Sequence, residues 1–331
     1  MKGEWKTGGR LLAALIATAV MGFAQTSASQ NENGQQPRMA SPGAINYVEG
    51  QATLDGQALT AQSVGSVVAK PNQAVATTNG YVEVLLTPGA FLRIGHDSEV
   101  RLKSASLAGA TMQMDRGAAL IEVADFVEGS ALTVDLDGTS TAIVKKGLYS
   151  FDVAQHSVRV LDGKAEVRNA TGETTLKKGD QVLLASDKPL KKRDFETKQA
   201  KHEPLYVWSK VRGEQQAEAN ASAADSLAAS GGWYGSGWYW NPYWSSYAFM
   251  PGSGFLYSPF GWGFYGYGYP RIWGGLGYRH YYAPRYYGHG FRGRSWNHGG
   301  WNRSGMHGGR GGFHGGHGGS RGGHGGRGGH R

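Results

Sequence analysis

The chain has 331 residues, no cysteine and a formal net charge of +9, and 33 of its 54 glycines fall after residue 230. Segments that rich in glycine bury too little apolar surface to offset the entropy of ordering, so the expected globular part is confined to about residues 41–190, with one core. The absence of cysteine excludes disulfides, thiolate zinc sites and an acylated-cysteine anchor, but not export.

Lys2, Lys6 and Arg10 precede an almost continuous apolar run over residues 11–23. Small residues follow, with Gly22 and Ala24 placed for cleavage before Gln25; a second possible cut lies after Ala28 or Ser29. This is the pattern of a secretory signal, and the run falls short of the roughly 20 apolar residues a membrane span needs. Residues 1–24 are expected to be a signal peptide and residues 25–43 a tether. The processed chain is then not an integral membrane protein, and its expected place is the periplasm, the outer-membrane surface or the medium.

Residues 44–187 are a series of short β patterns punctuated by Gly, Asp and Asn. Tyr81-Val82-Glu83-Val84-Leu85-Leu86 runs into a Pro88-Gly89 turn, followed by Phe91-Leu92-Arg93-Ile94 and Gly95. Glu99-Val100-Arg101-Leu102 and Ser157-Val158-Arg159-Val160 alternate with period two, which predicts half-buried strands. An internal echo pairs Tyr47-Val48-Glu49-Gly50-Gln51-Ala52-Thr53-Leu54 with Val160-Leu161-Asp162-Gly163-Lys164-Ala165-Glu166-Val167. Two copies this far apart do not make a regular solenoid; they predict a compact sheet assembly closed by matching first and last units.

These stretches, with Thr78-Asn79-Gly80-Tyr81, Gly147-Leu148-Tyr149-Ser150-Phe151 and Lys178-Gly179-Asp180-Gln181-Val182, occur in an order that resembles the FecR domain family over roughly 140 residues. The resemblance implies an all-β domain of sandwich or solenoid-like build. The best-known relatives are inner-membrane iron-siderophore regulators that hold a sigma factor through a cytoplasmic helical segment. Here ten residues precede the apolar run, which is too few for such a segment. The sequence looks closer to stand-alone exported relatives that join this domain to a Trp/Tyr-rich C-terminal region.

No catalytic set stands out in the β domain. His96 lies in an apparent turn, Gly95-His96-Asp97-Ser98, and His156 beside Ser157. Asp135-Leu136-Asp137-Gly138 lacks the later ligands of a calcium loop and is better read as a hairpin turn. No enzyme activity and no tightly bound cofactor are expected.

Residues 188–230 form a charged linker and helix. Lys188, Lys191, Lys192 and Arg193 cluster, and Glu203-Pro204 opens a short helix, proline being tolerated in the first turn. Leu205, Trp208 and Val211 make a narrow apolar stripe expected to dock on the β domain. The Ala-rich stretch over 214–229 favours helix, and Gly231-Gly232 ends it.

Residues 231–287 are dense in aromatic rings. The run Tyr257-Ser258-Pro259-Phe260-Gly261-Trp262-Gly263-Phe264 resembles a segment that often follows FecR-like domains in exported proteins. Rings with a polar handle favour interfaces, which makes Trp238, Trp240, Trp244, Phe260 and Trp262 candidate interaction residues. Packing as a small appendage on the β domain, association with envelope components, and plain low-complexity sequence all fit this composition.

Residues 288–331 read as a disordered Gly/His/Arg-rich tail. His307, His314, His317, His324 and His330 are candidate ligands for loosely held zinc, copper or nickel. No Asp or Glu follows Asp225, whereas ten Arg do; without those ten the chain carries −1. Attraction to anionic polymers is therefore a property of the tail. Arg-Gly segments also bind RNA, but export argues against nucleic acid as a partner. The expected function is a non-catalytic extracytoplasmic binding or scaffold protein, whose partner is an envelope protein or a cell-wall or outer-membrane polymer. The alternatives are a periplasmic sensory regulator in a sigma-factor pathway and a His-rich metal-binding protein.

Overall fold

A computed structural model describes residues 37–126, 129–184, 188–230, 234–252 and 254–267. The chain enters through β1 (Ile45–Leu54), β2 (Gln57–Leu59), β3 (Ala74–Leu85), β4 (Ala90–Ile94), β5 (Glu99–Ser106) and β6 (Gly109–Arg116). It continues through β7 (Ala118–Val123), β8 (Ala131–Leu136), β9 (Thr139–Ile143), β10 (Gly147–Asp152) and β11 (Ser157–Asp162). β12 (Lys164–Asn169), β13 (Gly172–Lys177), β14 (Asp180–Leu183) and β15 (Lys192–Asp194) complete one fifteen-stranded sheet. After α1 (Thr197–Ala200) and α2 (Pro204–Ala229) come two small hairpins, β16 (Gly237–Asn241) with β17 (Ser246–Met250), and β18 (Phe255–Tyr257) with β19 (Gly263–Tyr265).

The large sheet runs β13-β12-β9-β8-β6-β5-β3-β4-β7-β10-β11-β14-β15, with β1 on β3 and β2 on β1. It folds over on itself, because apolar residues from both halves share one core: Leu92, Ile121, Phe151 and Val158 meet Met112, Val134, Ile143 and Val167. The all-β class expected from the alternating strands is the class observed. One pairing, β6 with β8, is parallel; the others are antiparallel.

The two layers differ in what lies on their outer faces. In β5, β6, β8 and β9, buried residues alternate with half-exposed or exposed ones over much of each strand, as period two predicts for one wet face. In β4 every residue is buried, as are five of six in β7, β10 and β11. This corrects the half-buried reading of Ser157-Val158-Arg159-Val160: Ser157 and Arg159 are 1% and 8% exposed, and the segment leading into α2 lies over Arg159. The Arg159 guanidinium is held there by two bonds to the Glu203 carboxylate, at 2.6 and 2.8 Å.

The internal echo has a backbone cause. Gly50 and Gly163 both take positive φ, 68° and 99°. Gly50 sits at a β-bulge where β1 shifts register against β3, and Gly163 breaks β11 from β12. At each, a left-handed residue turns the chain from one layer toward the other, which only glycine does cheaply. Asp137 and Gly138, with φ of 50° and 71°, have the mirror-image turn conformation expected of a hairpin.

Structure continues past the expected end of the β domain. β15 adds to β14 beyond residue 187, and residues 234–267 form two further apolar clusters with the sheet and α2. The restriction to one core over residues 41–190 is thereby corrected. Aromatic side chains bury large areas each, so a glycine-rich segment carrying enough of them still packs. Among the described residues no helix is long and apolar enough to cross a membrane.

Candidate functional site: a capped sheet face

Three neighbouring strands of the inner layer, the one buried on both faces, each carry one charged residue within an apolar run: Glu83 in β3, Arg93 in β4 and Glu122 in β7. Glu83 and Arg93 are direct cross-strand partners, and Glu122 is diagonal to Arg93. All three point away from the main core, and all are fully buried. Arg93 Nε lies 3.0 Å from Glu83 Oε2 and Arg93 Nη1 lies 2.7 Å from Glu122 Oε2.

The covering group is α2. Pro204 occupies its first turn and the helix runs unbroken to Ala229, so the proline start and the glycine stop predicted from sequence bound one long helix. Two of the three residues of the apolar stripe dock on the sheet. Leu205 packs beside Leu120 and Leu161. Trp208 stacks on Tyr81 (4.6 Å, 12°) and its indole donates to Glu49. Val211, however, is 51% exposed. The buried face is Ser209, Arg212, Gly213, Gln216, Ala219, Asn220, Ala223 and Ala224, a helical period written in small and polar residues. A sheet surface that presents two carboxylates and a guanidinium requires polar complements, since unpaired buried charge is costly.

Those complements converge on Glu83. Its Oε1 accepts from Arg212 Nε at 3.1 Å, Gln216 Nε2 at 3.1 Å and Asn46 Nδ2 at 3.0 Å. Asn46 also donates to Tyr247 O and accepts from Tyr247 N, tying β17 into the network. The Arg212 guanidinium lies 4.5 Å from the Tyr47 ring centre. Gly213 brings the helix backbone close: a β-carbon there would stand 3.2 Å from Phe260 and 3.6 Å from Glu122 Oε2. Two carboxylates and two guanidiniums thus balance inside one sealed layer.

The two carboxylates titrate in opposite directions. Burial alone pushes Glu83 up, but Arg212 and Arg93, with the Asn46 bond, outweigh it and hold Glu83 below the ordinary glutamate value. Burial also pushes Glu122 up; Arg93 offsets part of this, and Glu122 stays above its ordinary value. The Glu83 contribution to stability is present above the ordinary carboxylate range and is lost as pH falls through its lowered pKa. Glu122 works the other way: it favours folding most when protonated, and that contribution fades as pH rises through its raised pKa. Thermal melts across pH are therefore expected to show Glu122→Gln flattening the slope above the ordinary carboxylate range, while Glu83→Gln flattens the acid limb. Parallel profiles for wild type and both variants would refute the assignment.

The ring segment supplies the rest of the cap. Trp238 is 1% exposed, packed against Phe91 (4.8 Å, 80°) and Phe249. Trp240 is half-buried against Tyr247, with the Arg38 guanidinium 4.7 Å from its ring centre. Trp244 packs beside the C-terminal half of α2. Phe260 meets Tyr206 edge-on and faces Arg93 at 5.7 Å. The Trp262 indole donates to Lys210 O at 3.1 Å. The structure brings these five candidates to one side of the sheet and uses them inward, Trp238 entirely so. Tyr243, at the β16–β17 turn, faces solvent instead, 80% exposed.

Among the described residues no three His, Asp or Glu side chains group as a metal site. His307, His314, His317, His324 and His330 lie outside the described residues. Of the β-domain histidines, His96 packs on Tyr81 at 4.1 Å and His156 contacts Asp137 at 2.5 Å. The residues that sequence reading missed, Glu83, Arg93, Glu122, Arg212, Gln216 and Asn220, did leave a signal. Each strand charge interrupts a continuous apolar run, and the helix repeats small or polar residues every three or four positions.

No family model and no curated protein matches this chain. Solved structures do, among them two described as a putative anti-sigma factor from Parabacteroides distasonis. The first is 17% identical with a TM-score of 0.33, over 38% of this chain and 60% of that one. The second is 16% identical with a TM-score of 0.34, over 38% of this chain and 62% of that one. The matched region thus takes in less than two thirds of either protein.

Proposed function

We propose that the chain is a non-catalytic binding or scaffold protein of the bacterial envelope, built on a FecR-like β domain and exported by its N-terminal leader. The observation that carries this reading is the use made of the buried charges. Buried, shifted ionisable groups are the usual material of a catalytic centre. Here Glu83, Arg93, Glu122 and Arg212, none more than 4% exposed, pair with one another to fix a helix and two hairpins on a sheet. The charges build the body.

The ends of that body also fit a display role. Residues 38–40 run along β16, with Ala40 N bonded to Trp238 O and Trp240 N to Arg38 O. At the other end Tyr267 packs on Tyr234, which packs on Tyr239. The first described residues and Tyr234, on which Tyr267 packs, therefore both lie beside the β16–β17 hairpin. A wall or outer-membrane polymer of negative charge is the natural partner of a C-terminal stretch that carries ten Arg and no acid after Asp225.

Cell fractionation followed by crosslinking and mass spectrometry tests this. A processed chain in the envelope fraction, crosslinked to an envelope protein or polymer, is the expected result. An unprocessed chain in the cytosol, crosslinked to nucleic acid, overturns it. Crosslinks to a sigma factor would replace the scaffold reading with a regulatory one.

A further inference from the structure

The inner layer is covered by α1, α2 and the hairpins over most of its width, but the cover stops before the sheet's last strands. β15 is the terminal strand of the sheet order, and among the described residues its ladder is with β14 alone. All three of its residues are exposed. Beside it lies a groove of about 350 Å³ lined by Leu183, Leu184, Lys188, Pro189, Lys191 and Arg193. Leu183 is 45% exposed, an apolar floor open to solvent.

The rim is basic, and its charges are not all spent locally. Lys192 is paired with Asp180 at 3.3 Å. No described acidic side chain forms a salt bridge with Lys188, Lys191 or Arg193. Lys188 is nonetheless held in place, since its carbonyl accepts from Asn169 Nδ2 and Thr171 Oγ1 on the β12–β13 turn. Lys191 and Arg193 are two residues apart, so in an extended chain they share a face. Across the β14–β15 ladder Arg193 is opposite Gln181, which puts Leu183 on that same face.

We infer that this edge receives an acidic, extended segment of a protein partner, added to β15 as a further strand. The free edge supplies main-chain hydrogen bonds, and alternate side chains of the incoming strand supply specificity. Carboxylates at alternate positions would meet Lys191 and Arg193, with an apolar residue of the same face over Leu183. Lysine on an edge strand also serves to keep strands from joining. A purely protective edge, however, has no use for an open apolar floor between the cations. The inference rests on the binding reading above and names its partner chemistry.

The test uses the full purified chain and a fluorescent peptide of alternating Glu and Val, with a Lys/Val peptide and a block-ordered Glu/Val peptide of equal composition as comparisons. The alternating acidic peptide is expected to bind at least about tenfold more tightly than either. Lys191→Glu/Arg193→Glu should abolish that preference while leaving the circular dichroism unchanged. Because the Arg-rich tail also attracts acidic peptides, hydrogen exchange must locate the contact: bound peptide should slow amide exchange in residues 191–194. Equal binding of the block peptide, binding insensitive to the double variant, or protection elsewhere would overturn the inference. The assay does not depend on where the chain resides, so its failure is distinct from failure of the envelope assignment.

Discussion

Replacing Arg93 with methionine is expected to destabilise the body by about 3–5 kcal/mol, the loss typical when one partner of a buried ion pair is removed. Methionine keeps most of the side-chain volume, so the change isolates charge. Arg93 stands between Glu83 and Glu122 at 3.0 and 2.7 Å, and all three are fully buried. Without it, Glu83 retains Arg212, but Glu122 is left as a buried carboxylate without its cation. At the scale usual for a body of this size, the midpoint of thermal unfolding should fall by about 6–20 °C. Neutralising the stranded partner, as Arg93→Met/Glu122→Gln, should recover part of the loss, because the penalty lies in the uncompensated charge. A melting temperature within about 2 °C of wild type for Arg93→Met would mean that water reaches these groups and the sealed network does not exist in solution.

The second large effect is expected at Asn220, which joins α2 to both hairpins. Its amide donates to Phe249 O at 2.7 Å and Tyr265 O at 2.9 Å, and its carbonyl accepts from Tyr265 N at 2.7 Å. Asn220→Leu conserves approximate size and removes all three bonds. Leaving buried polar groups unmet costs about 1–3 kcal/mol each when no water replaces the partner, so a loss of about 2–4 kcal/mol is expected. The loss should be regional. Tryptophan fluorescence reports it directly, because Trp238, Trp240, Trp244 and Trp262 all lie in the cap. Amide exchange in β17 and β19 should accelerate while β4, β7 and β10 stay protected. Equal acceleration in both sets would show that cap and sandwich unfold as one cooperative unit, and would remove any picture of the cap as a separately held layer.

The two predictions share a physical basis that concerns specificity more than strength. Burying four charges is expensive, and an apolar interface of the same shape is often as stable or better. What the network supplies is position. Glu83 accepts from Asn46, Arg93, Arg212 and Gln216, which come from β1, β4 and α2. A helix sliding by one turn would break these bonds at once, whereas an alanine face could slip with little penalty.

Much of this architecture is legible in the residues. Alternation marks the strands of the outer layer, Asp-Gly pairs mark hairpins, Glu203-Pro204 and Gly231-Gly232 bracket α2, and the repeated Gly50 and Gly163 mark the two places where the chain changes layer. These are local properties, set by backbone sterics and by a simple inside-outside preference. What only the tertiary structure decided is which faces became inside. Arg159 reads as solvent-facing until the segment leading into α2 is laid over it, and Val211 reads as a docking residue until polar Arg212 takes that role. The rings of residues 234–267 fit packing on the β domain, contact with a partner and plain low complexity alike, and only the fold shows Trp238 spent in the interior. In each case burial is conferred by a partner far away in sequence, and hydrophobicity read along the chain cannot register a polar surface matched by a polar complement.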